Sequence, residues 1–285
     1  MGLPIARRLA TLADVVGFDV DPVRRAAAAE HAVAVAARPD APASGADIVF
    51  LALTGAAAQR TALRHDGLLD SVMPGALVVE LTSGDPDLSD EMRTACASRG
   101  AGFVSAPMSG GPADAEAGNL GFFIAGDPAL LDRARPFLDA LARPGGVQDV
   151  GETPGQAQLM KLLVNALWFG QATLVTEALL LAARAGVDAD RADRILNSSA
   201  AASAFIQDYV PRLRAGDYVE SFGIDAVVEE LDTVLAQATT RGTPAEMLRL
   251  VRALHAQARD EFGDVDGELL ASRLLENRAG IRLSD

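Results

Sequence analysis

Residues 155–168 read GQAQLMKLLVNALW and open a long apolar run. On an α-helix, Gln158, Lys161, Asn165 and Trp168 share one face, because residues three and four apart are neighbours on its surface. Lys161 is the only lysine in the sequence. Arginine keeps its proton in proteins, whereas burial can lower the pKa of a lysine towards neutrality. The stretch therefore predicts a helix with a candidate proton-transfer group, and a lysine that reaches water along an apolar surface is the alternative.

The sequence after Pro154 favours an all-helical second half. A helix that ran to Ala185, with Gly186 as its cap, would contain about 30 residues and span about 45 Å. Such a helix is too long for one small domain, so we expect it to join two halves of the chain. Further helices are expected over residues 189–198, 203–215, 223–241, 244–260 and 267–277.

The first half alternates short apolar strands with helices. We expect strands over residues 15–18, 46–53, 76–81, 102–104 and 119–125, and helices over residues 2–12, 23–37, 57–72, 87–99 and 128–141, with 145–151 irregular. This alternation is typical of an α/β fold with a parallel, doubly wound Rossmann-type sheet, whose ligands bind at the carboxyl ends of the strands. We place the domain boundary near Gly151, which gives a sheet domain at 1–151 and an all-helical domain at 152–285.

Asp19 follows the first expected strand. Asp21 precedes Pro22 and is the better candidate for a helix cap, which leaves Asp19 available to a ligand. A carboxylate at such a strand end accepts hydrogen bonds from an adenosine ribose and repels a 2′-phosphate, so Asp19 favours NAD over NADP. A turn or cap role for Asp19 is the structural alternative.

Composition excludes several classes of partner and site. A net charge of −14 and a pI of about 4.6 disfavour nucleic acid and anionic membranes as partners. One cysteine, Cys96, excludes an internal disulfide and fits a reducing cytoplasm. The three histidines are scattered without ligand spacing, so we expect no metal site. No apolar run approaches the roughly 18 to 20 residues that a membrane span needs.

Two groups of small residues follow apolar strands. Ser109, Gly110 and Gly111 follow the strand at 102–104, and paired glycines let backbone N–H groups approach an anion closely. An ordinary Gly-Gly turn is the alternative. Thr82 follows the strand at 76–81, where its hydroxyl would serve a ligand or the local turn.

Four segments together resemble the β-hydroxyacid dehydrogenase family, which includes 3-hydroxyisobutyrate dehydrogenase and tartronate semialdehyde reductase. They are MGLPIA at 1–6, SAPMSGG at 105–111, AEAGNL at 115–120 and the stretch at 155–165. The resemblance covers nearly the whole chain in the same order. It implies reversible hydride transfer between a nicotinamide cofactor and a small 3-hydroxy acid or semialdehyde, and subunits that form homodimers or homotetramers.

The resemblance also supports a role for each polar residue of the long helix. Lys161 is the candidate proton donor and acceptor, and Asn165 would hold the substrate oxygen or orient the ammonium group. Imine reductases, a related group, usually have another residue such as Asp or Tyr at the position of Lys161, so the lysine favours a hydroxy acid over an imine. An imine-reductase-like enzyme is the nearer alternative function.

The remaining site residues follow from the same resemblance. The substrate carboxylate is assigned to Ser109, Gly110 and Gly111, with Thr82 beside the substrate and the nicotinamide. The cofactor is assigned to Gly2, Leu3, Pro4, Asp19, Leu53, Thr54 and Thr82.

The sequence departs from the family in two places. Gly2 corresponds to the last glycine of the G-x-G-x-x-G turn, and the preceding strand and first two glycines are absent. We expect a start-site error, with an in-frame strand and G-x-G encoded upstream of Met1; the alternatives are a damaged enzyme and a non-catalytic oligomerising protein. Glu229 and Glu230 stand where the family usually has Lys-Asp, so an arginine would have to supply that positive charge. A solvated acidic helix face is the other interpretation of Glu229, Glu230 and Asp232.

Overall fold

The computed structural model describes residues 1–31, 33–38, 40–53, 55–64, 68–220 and 222–284. The contacts within the chain divide it into two compact units, Met1–Lys161 and Leu162–Asp285. Unit 1 contains both sheets and unit 2 is helical. The fold class expected from the sequence, a Rossmann-type sheet domain followed by an all-helical domain, is confirmed.

Unit 1 alternates strands and helices along most of its length. Its strands are β1 (Val16–Gly17), β2 (Ala34–Val35), β3 (Ile48–Leu51), β4 (Leu77–Glu80), β5 (Gly102–Ser105), β6 (Met108–Ser109), β7 (Leu120–Ala125) and β8 (Ala142–Gly151). Its helices are α1 (Gly2–Leu9), α2 (Pro22–Glu30), α3 (Asp40–Ala43), α4 (Gly55–Arg64), α5 (Leu68–Ser71), α6 (Pro86–Ala97), α7 (Pro112–Ala117) and α8 (Pro128–Leu141).

The larger sheet has a parallel centre and a mixed edge. Strands β3, β4 and β5 are parallel neighbours, and β7 runs antiparallel to β5 and β6 but parallel to β8. Strands β1 and β2 form a separate parallel pair. In the part of the chain that the structure describes, this pair joins no strand of the larger sheet.

Apolar strands form the core of unit 1 because both faces of the sheet are covered. Leu77 and Val79 lie on the face that packs against Ile5 and Leu138, whereas Val78 and Phe103 belong to the opposite cluster. Each of these side chains is at most 2% exposed. Burial on both faces explains why β4 and β5 are nearly continuous apolar runs in the sequence.

Two elements differ from the sequence expectation. Residues 145–151 were expected to be irregular but belong to β8, and the expected helix at 23–37 ends at Glu30 and is followed by β2. β8 pairs with β7 through two register shifts, so neither apolar alternation nor turn residues marked it as a strand. β2 contains only two residues in an alanine-rich segment, which is too short to show a period.

Unit 2 is built around the second part of one long helix. The helices in this half of the chain are α9 (Pro154–Arg184), α10 (Ala189–Asn197), α11 (Ala204–Arg214), α12 (Ile224–Thr240), α13 (Glu246–Phe262) and α14 (Leu270–Ala279). The helix α9 contains 31 residues, and the division between the two units falls inside it. Gly186 follows its end with φ +77°, as the sequence predicts for a helix cap.

The length and composition of α9 correct one expectation. By these two criteria alone α9 qualifies as a membrane span, although the sequence was expected to contain no such stretch. The core helix of a soluble protein meets the same criteria, so the finding is weak.

His255 lies in the interior of unit 2 on α13. It is fully buried against Phe169, its Nδ1 lies 2.9 Å from the carbonyl oxygen of Val251, and its Nε2 has no hydrogen-bond partner among the described residues. Burial lowers the pKa of His255 to about 4. The folded protein therefore holds this imidazole neutral where an unfolded chain would protonate it.

We predict that unit 2 loses stability as the pH falls from about 6.5 towards 4, because the unfolded chain then binds a proton that the folded chain excludes. The loss from His255 should reach about 3 kcal/mol. Urea unfolding followed by the fluorescence of Trp168, the only tryptophan, measures it. His255→Met should flatten the pH dependence, whereas the matched change at the exposed His31 should leave it unaltered. An unaltered slope in His255→Met would contradict the assignment.

Candidate functional site

The carboxyl ends of the three central parallel strands lie level with one another. Leu51 of β3 is paired in register with Glu80 of β4, and Glu80 with Ser105 of β5. The residues that follow these strands therefore meet at one edge of the sheet. Open α/β sheets bind their ligands at this edge.

The hydroxyl of Thr82 forms hydrogen bonds with two backbone groups at this edge of the sheet. Its Oγ1 accepts a hydrogen bond from the backbone N–H of Leu53 at 2.9 Å and donates to the carbonyl oxygen of Leu51 at 3.3 Å. The side chain is only 3% exposed. Thr82 thus fixes the end of β3 against the end of β4, and its contribution to a ligand site is to hold the backbone around Leu53. Thr54, the next expected cofactor contact, lies outside the described residues.

Glu80 occupies the last position of β4 and is fully buried. Its Oε2 accepts hydrogen bonds from Ser89 Oγ at 2.5 Å, Ser105 Oγ at 3.1 Å and Gln158 Nε2 at 2.9 Å, and its Oε1 accepts one from Gln59 Nε2. Burial raises the pKa of Glu80 to about 7, and the four hydrogen bonds oppose that rise. A carboxyl group with this pKa exchanges its proton near neutral pH.

Gln158 connects the start of α9 to the strand ends. Its Nε2 donates to Glu80 and also to the carbonyl oxygen of Thr82 at 2.9 Å, while its Oε1 accepts from the backbone N–H of Gly84 at 2.8 Å. A second contact lies one turn earlier, where the N–H of Gly155 donates to Asp90 Oδ1 at 3.1 Å. The first turn of α9 is therefore held by side chains and backbone of β4, α6 and the segment between them.

Lys161 lies three residues beyond Gln158 on the same helix. Its side chain is 9% exposed, so the alternative of a lysine on a solvated face does not describe its position. The geometry places a buried lysine one turn after the hydrogen bonds of Gln158 with the strand ends.

The segment with Ser109, Gly110 and Gly111 forms the end of β6 and the entry to α7. Gly110 has φ +113°, and a Cβ there would lie 3.0 Å from Leu120 Cδ2 and 3.1 Å from Asp114 Cβ, so both backbone angle and space require glycine. The N–H of Gly111 donates to Asp114 Oδ2 at 2.8 Å. A carboxylate of the chain itself thus occupies this donor, and a substrate carboxylate would have to replace it. Ser109 is half-buried.

The N-terminus of α1 lies beside the end of β3. A Cβ at Gly2 would lie 3.9 Å from the Cβ of Ala52, Leu3 is half-buried, and Pro4 is buried. Burial lowers the pKa of the N-terminal amine, the charge of Arg24 lowers it further, and Asp19 opposes both. The start of α1 and Asp19 therefore lie within electrostatic range of each other.

Asp19 is partly engaged by its own loop. Its Oδ1 accepts a hydrogen bond from the N–H of Asp21 at 2.9 Å, and its Oδ2 lies 3.9 Å from Arg24 Nη1. Asp21 caps α2 through the N–H of Val23 at 2.8 Å, as the sequence predicts. The neighbouring Arg24 offsets part of the negative charge that would repel a 2′-phosphate.

In unit 2, Asn165 contacts one of the two glutamates that depart from the family pattern. Its Nδ2 donates to Glu230 Oε2 at 2.7 Å, and Glu230 is half-buried. Glu229 is exposed, and Asp232 forms two hydrogen bonds of 2.8 Å to Arg252. The interpretation as a solvated acidic face thus fits Glu229 and Asp232 but does not fit Glu230.

The large aromatic and apolar residues of unit 2 differ in exposure. Phe205 and Ile224 are at most 2% exposed and belong to the core of unit 2. Trp168 packs edge-on against Phe205 with ring centres 5.4 Å apart, while Phe222 remains half-buried.

Sequence reasoning missed Glu80 as a member of the site. The signal that could have found it is a carboxyl residue at the last position of the otherwise apolar strand LVVE. Its partner Ser105 reads as an ordinary polar residue, because only the parallel register of β4 and β5 brings it beside Glu80.

Comparison with known proteins finds matches over most of the chain. Residues 1–152 match the profile described as the NAD binding domain of 6-phosphogluconate dehydrogenase. Residues 155–274 match the profile described as NAD-binding of NADP-dependent 3-hydroxyisobutyrate dehydrogenase. Together the two profiles cover the chain as far as α14.

Among similar proteins are two curated relatives. The chain is 30% identical over 216 residues to the NAD-dependent L-serine dehydrogenase of Pseudomonas aeruginosa, a match that covers 72% of each chain. It is 25% identical over 250 residues to the 2-(hydroxymethyl)glutarate dehydrogenase of Eubacterium barkeri, covering 87% of this chain and 82% of that one.

The fold also matches a solved structure. A 3-hydroxyisobutyrate dehydrogenase of Mycobacterium tuberculosis, solved with L-serine, superposes with a TM-score of 0.87 at 23% identity. The match covers 96% of this chain and 95% of the other. At this level of identity, the likeness supports the fold.

We predict that Gly155→Ala destabilises the protein, because an added Cβ would lie 2.8 Å from the carbonyl oxygen of Pro86 and 2.9 Å from Asp90 Oδ2. The loss should be about 1 to 3 kcal/mol. Gly170→Ala on the same helix is the matched control, since its Cβ would meet Val251 at an ordinary 3.6 Å. Thermal unfolding should show the control to be neutral or stabilised by up to about 1 kcal/mol. Equal melting temperatures for the two variants would contradict the close approach at Gly155.

Proposed function

Because the chain belongs to the β-hydroxyacid dehydrogenase family, we propose that it transfers a hydride reversibly between a nicotinamide cofactor and a small 3-hydroxy acid or the corresponding semialdehyde. The observation that supports the proposal most directly is Lys161. It is the only lysine in the sequence, and it is buried one turn after the contacts of Gln158 with the strand ends.

The start of α1 and the residue after β1 offer groups that suit a dinucleotide. The start of α1 presents backbone N–H groups beside the end of β3, and Asp19 follows β1 within electrostatic range of the same helix end. A helix N-terminus favours a phosphate, and a carboxylate at a strand end accepts from a ribose hydroxyl. We assign Gly2, Leu3, Pro4, Asp19 and Leu53 to the cofactor in this proposal.

Hydride transfer leaves a proton that the protein has to move. When bound, the nicotinamide cofactor supplies or accepts the hydride. In alcohol oxidation the neutral amine of Lys161 takes the hydroxyl proton, and in the reverse direction its ammonium returns a proton to the carbonyl oxygen. Asn165 holds the substrate oxygen or orients the ammonium group. Glu230 accepts from Asn165 Nδ2, so this hydrogen bond orients the amide.

The substrate class follows from what the relatives' names share. L-serine and 2-(hydroxymethyl)glutarate both place a hydroxymethyl group on the carbon next to a carboxylate. We propose the same 3-hydroxy acid unit for this chain, with Ser109, Gly110 and Gly111 near the carboxylate and Thr82 holding the adjacent backbone. Asp114 would have to release the N–H of Gly111 for that contact to form.

An exposed apolar stripe on α9 supports self-association. Leu167, Leu174 and Leu181 recur every seven residues and are 64%, 65% and 71% exposed. A seven-residue repeat places side chains on one face of a helix, where they can pack against the same face of a second copy. We propose a homodimer or homotetramer, and the single reduced cysteine favours the cytoplasm as its compartment.

We predict that Lys161→Ala lowers turnover by about 10² to 10⁴-fold while the affinity for cofactor is kept, because the proton-transfer group is lost and the dinucleotide contacts are not. The measurement is the reduction of cofactor by 3-hydroxyisobutyrate and L-serine, with cofactor binding followed by thermal shift. Lys161→Arg, which keeps the charge but cannot release its proton, should be similarly slow.

Retained turnover in Lys161→Ala would contradict the role of the lysine. Turnover by the wild type with cyclic imines but not with hydroxy acids would favour the imine-reductase alternative. No cofactor binding and no turnover with any of these substrates would favour a non-catalytic oligomerising protein.

We predict that Asp19→Asn shifts cofactor preference from NAD towards NADP by roughly tenfold or more, because a charge-assisted hydrogen bond to the ribose is lost and repulsion of the 2′-phosphate is relieved. The ratio of kcat/KM values for the two cofactors measures the shift. Asp21→Asn is the matched control, since Asn also caps a helix and should leave the ratio unchanged. An unchanged ratio in Asp19→Asn would remove Asp19 from the ribose site.

A further inference from the structure

A carboxyl group is an unexpected residue at the position of Glu80. Its four hydrogen-bond partners, Ser89, Ser105, Gln158 and Gln59, are all neutral. Among the described residues no cation is recorded beside it. The charge of Glu80 contributes to the raised pKa of Cys96 on α6. Burial of an unpaired carboxylate is unfavourable. A carboxylate can accept from all four partners, whereas the NH₂ group of an amide in its place could accept from none of them. The network therefore matches the ionised form of this carboxyl group.

The partners of Glu80 come from every element that surrounds the end of β4. Gln59 belongs to α4, Ser89 to α6, Ser105 to β5 and Gln158 to α9. Cys96 has a pKa raised to about 12 by burial, so its thiol stays neutral. Glu80 is thus the group in this cluster that changes charge near neutral pH.

Gln158 is the residue through which Glu80 contacts the start of α9. With the carboxylate ionised, Gln158 donates its N–H groups to Glu80 and to the Thr82 carbonyl, and accepts from Gly84 with its oxygen. All of these contacts require the amide in one orientation, and the same Nε2 also lies 2.9 Å from Ser105 Oγ. Lys161 follows Gln158 by one turn, so the contacts that fix this amide also fix the turn before the lysine.

Protonation would disturb this arrangement in a specific way. A protonated carboxyl has an O–H that needs an acceptor, and the hydroxyl of Ser89 or Ser105 would have to turn from donating to accepting to provide one. The Oε1 atom of Gln59 is buried and has no hydrogen-bond partner among the described residues. Rotation of the Gln59 amide would present this oxygen to the new O–H. The network therefore has one set of contacts with Glu80 ionised and another with Glu80 protonated.

We propose that Glu80 and Gln158 are positioning residues, and that ionised Glu80 holds Gln158 in the orientation that places Lys161 for proton transfer. The proposal rests on the proposed function, because that function assigns proton transfer to Lys161. Neither residue takes part in the reaction itself. Glu80 acts through Gln158, and Ser89 and Ser105 act by favouring the ionised form of Glu80.

The only lysine offers a direct test that does not depend on turnover. Reductive methylation with ¹³C-formaldehyde labels Lys161 and the N-terminal amine, and NMR distinguishes the two dimethylamines. The shift of the Lys161 methyl groups is followed against pH in the wild type, Glu80→Gln, Ser89→Ala and Ser98→Ala. Ser98 is exposed on the turn after α6, and the hydrogen bond recorded for its hydroxyl goes to the carbonyl oxygen of Ala95, so its variant is the matched control for Ser89→Ala.

We expect the chemical shift of the Lys161 methyl groups to change in a step near neutral pH in the wild type and in Ser98→Ala. This step is additional to the change caused by titration of the lysine itself. The step should move upward by about one pH unit in Ser89→Ala, because a donor that stabilises the carboxylate is lost. It should disappear in Glu80→Gln. A step that stays at the same pH in Ser89→Ala, or the absence of any step in the wild type, would overturn the proposal even where melting temperatures fall.

Enzyme kinetics supply the second readout. The acid limb of the pH profile of kcat should move upward by about one pH unit in Ser89→Ala, with KM for the cofactor unchanged. If the wild type oxidises no hydroxy acid, the proposed function fails while the NMR titration still decides the link between Glu80 and Lys161. If turnover is present and the acid limb does not move, the positioning role is wrong and the proposed function stands.

Discussion

The hydrogen bond between Glu80 and Gln158 is the interaction on which the position of the first turn of α9 depends. The carboxyl group lies at the end of β4, out of contact with water, and it requires donors from the surrounding elements. Gln158 provides one of them and also bonds to Thr82 and Gly84, so a single amide joins the start of α9 to the segment after β4. The close approach at Gly155 brings α9 near enough for these contacts to form.

The position of Lys161 follows from this constraint. A lysine on an amphipathic helix is usually mobile and hydrated. Here the preceding turn is fixed, and the lysine itself is buried. A buried lysine one turn beyond the contacts of Gln158 suits the proposed role of general acid and base. Arginine keeps its proton in proteins and could not fill that proposed role, which would give a physical reason for a single lysine among the 25 Lys and Arg residues.

The sequence was sufficient for the strands whose two faces are buried, because a short, continuous apolar run such as the one that contains residues 77–79 is typical of a buried strand. It was also sufficient for the long helix and its glycine cap. It was insufficient for β8, whose residues show no apolar period, and for the pairing of Glu80 with Ser105, which exists only through strand register. Gly111 was expected to be available to a ligand, whereas its N–H is bonded to Asp114. Such local side-chain bonds leave little signal in a single sequence.

The transfer of deuterium tests the central claim most directly. The protein would be incubated with NAD and with L-serine or 3-hydroxyisobutyrate that has deuterium on the hydroxyl-bearing carbon, and the reduced cofactor would be analysed by mass spectrometry. The account predicts that the reduced cofactor gains a single deuterium from the substrate. Reduced cofactor without deuterium, or no reduction with any 3-hydroxy acid and either NAD or NADP, would contradict it.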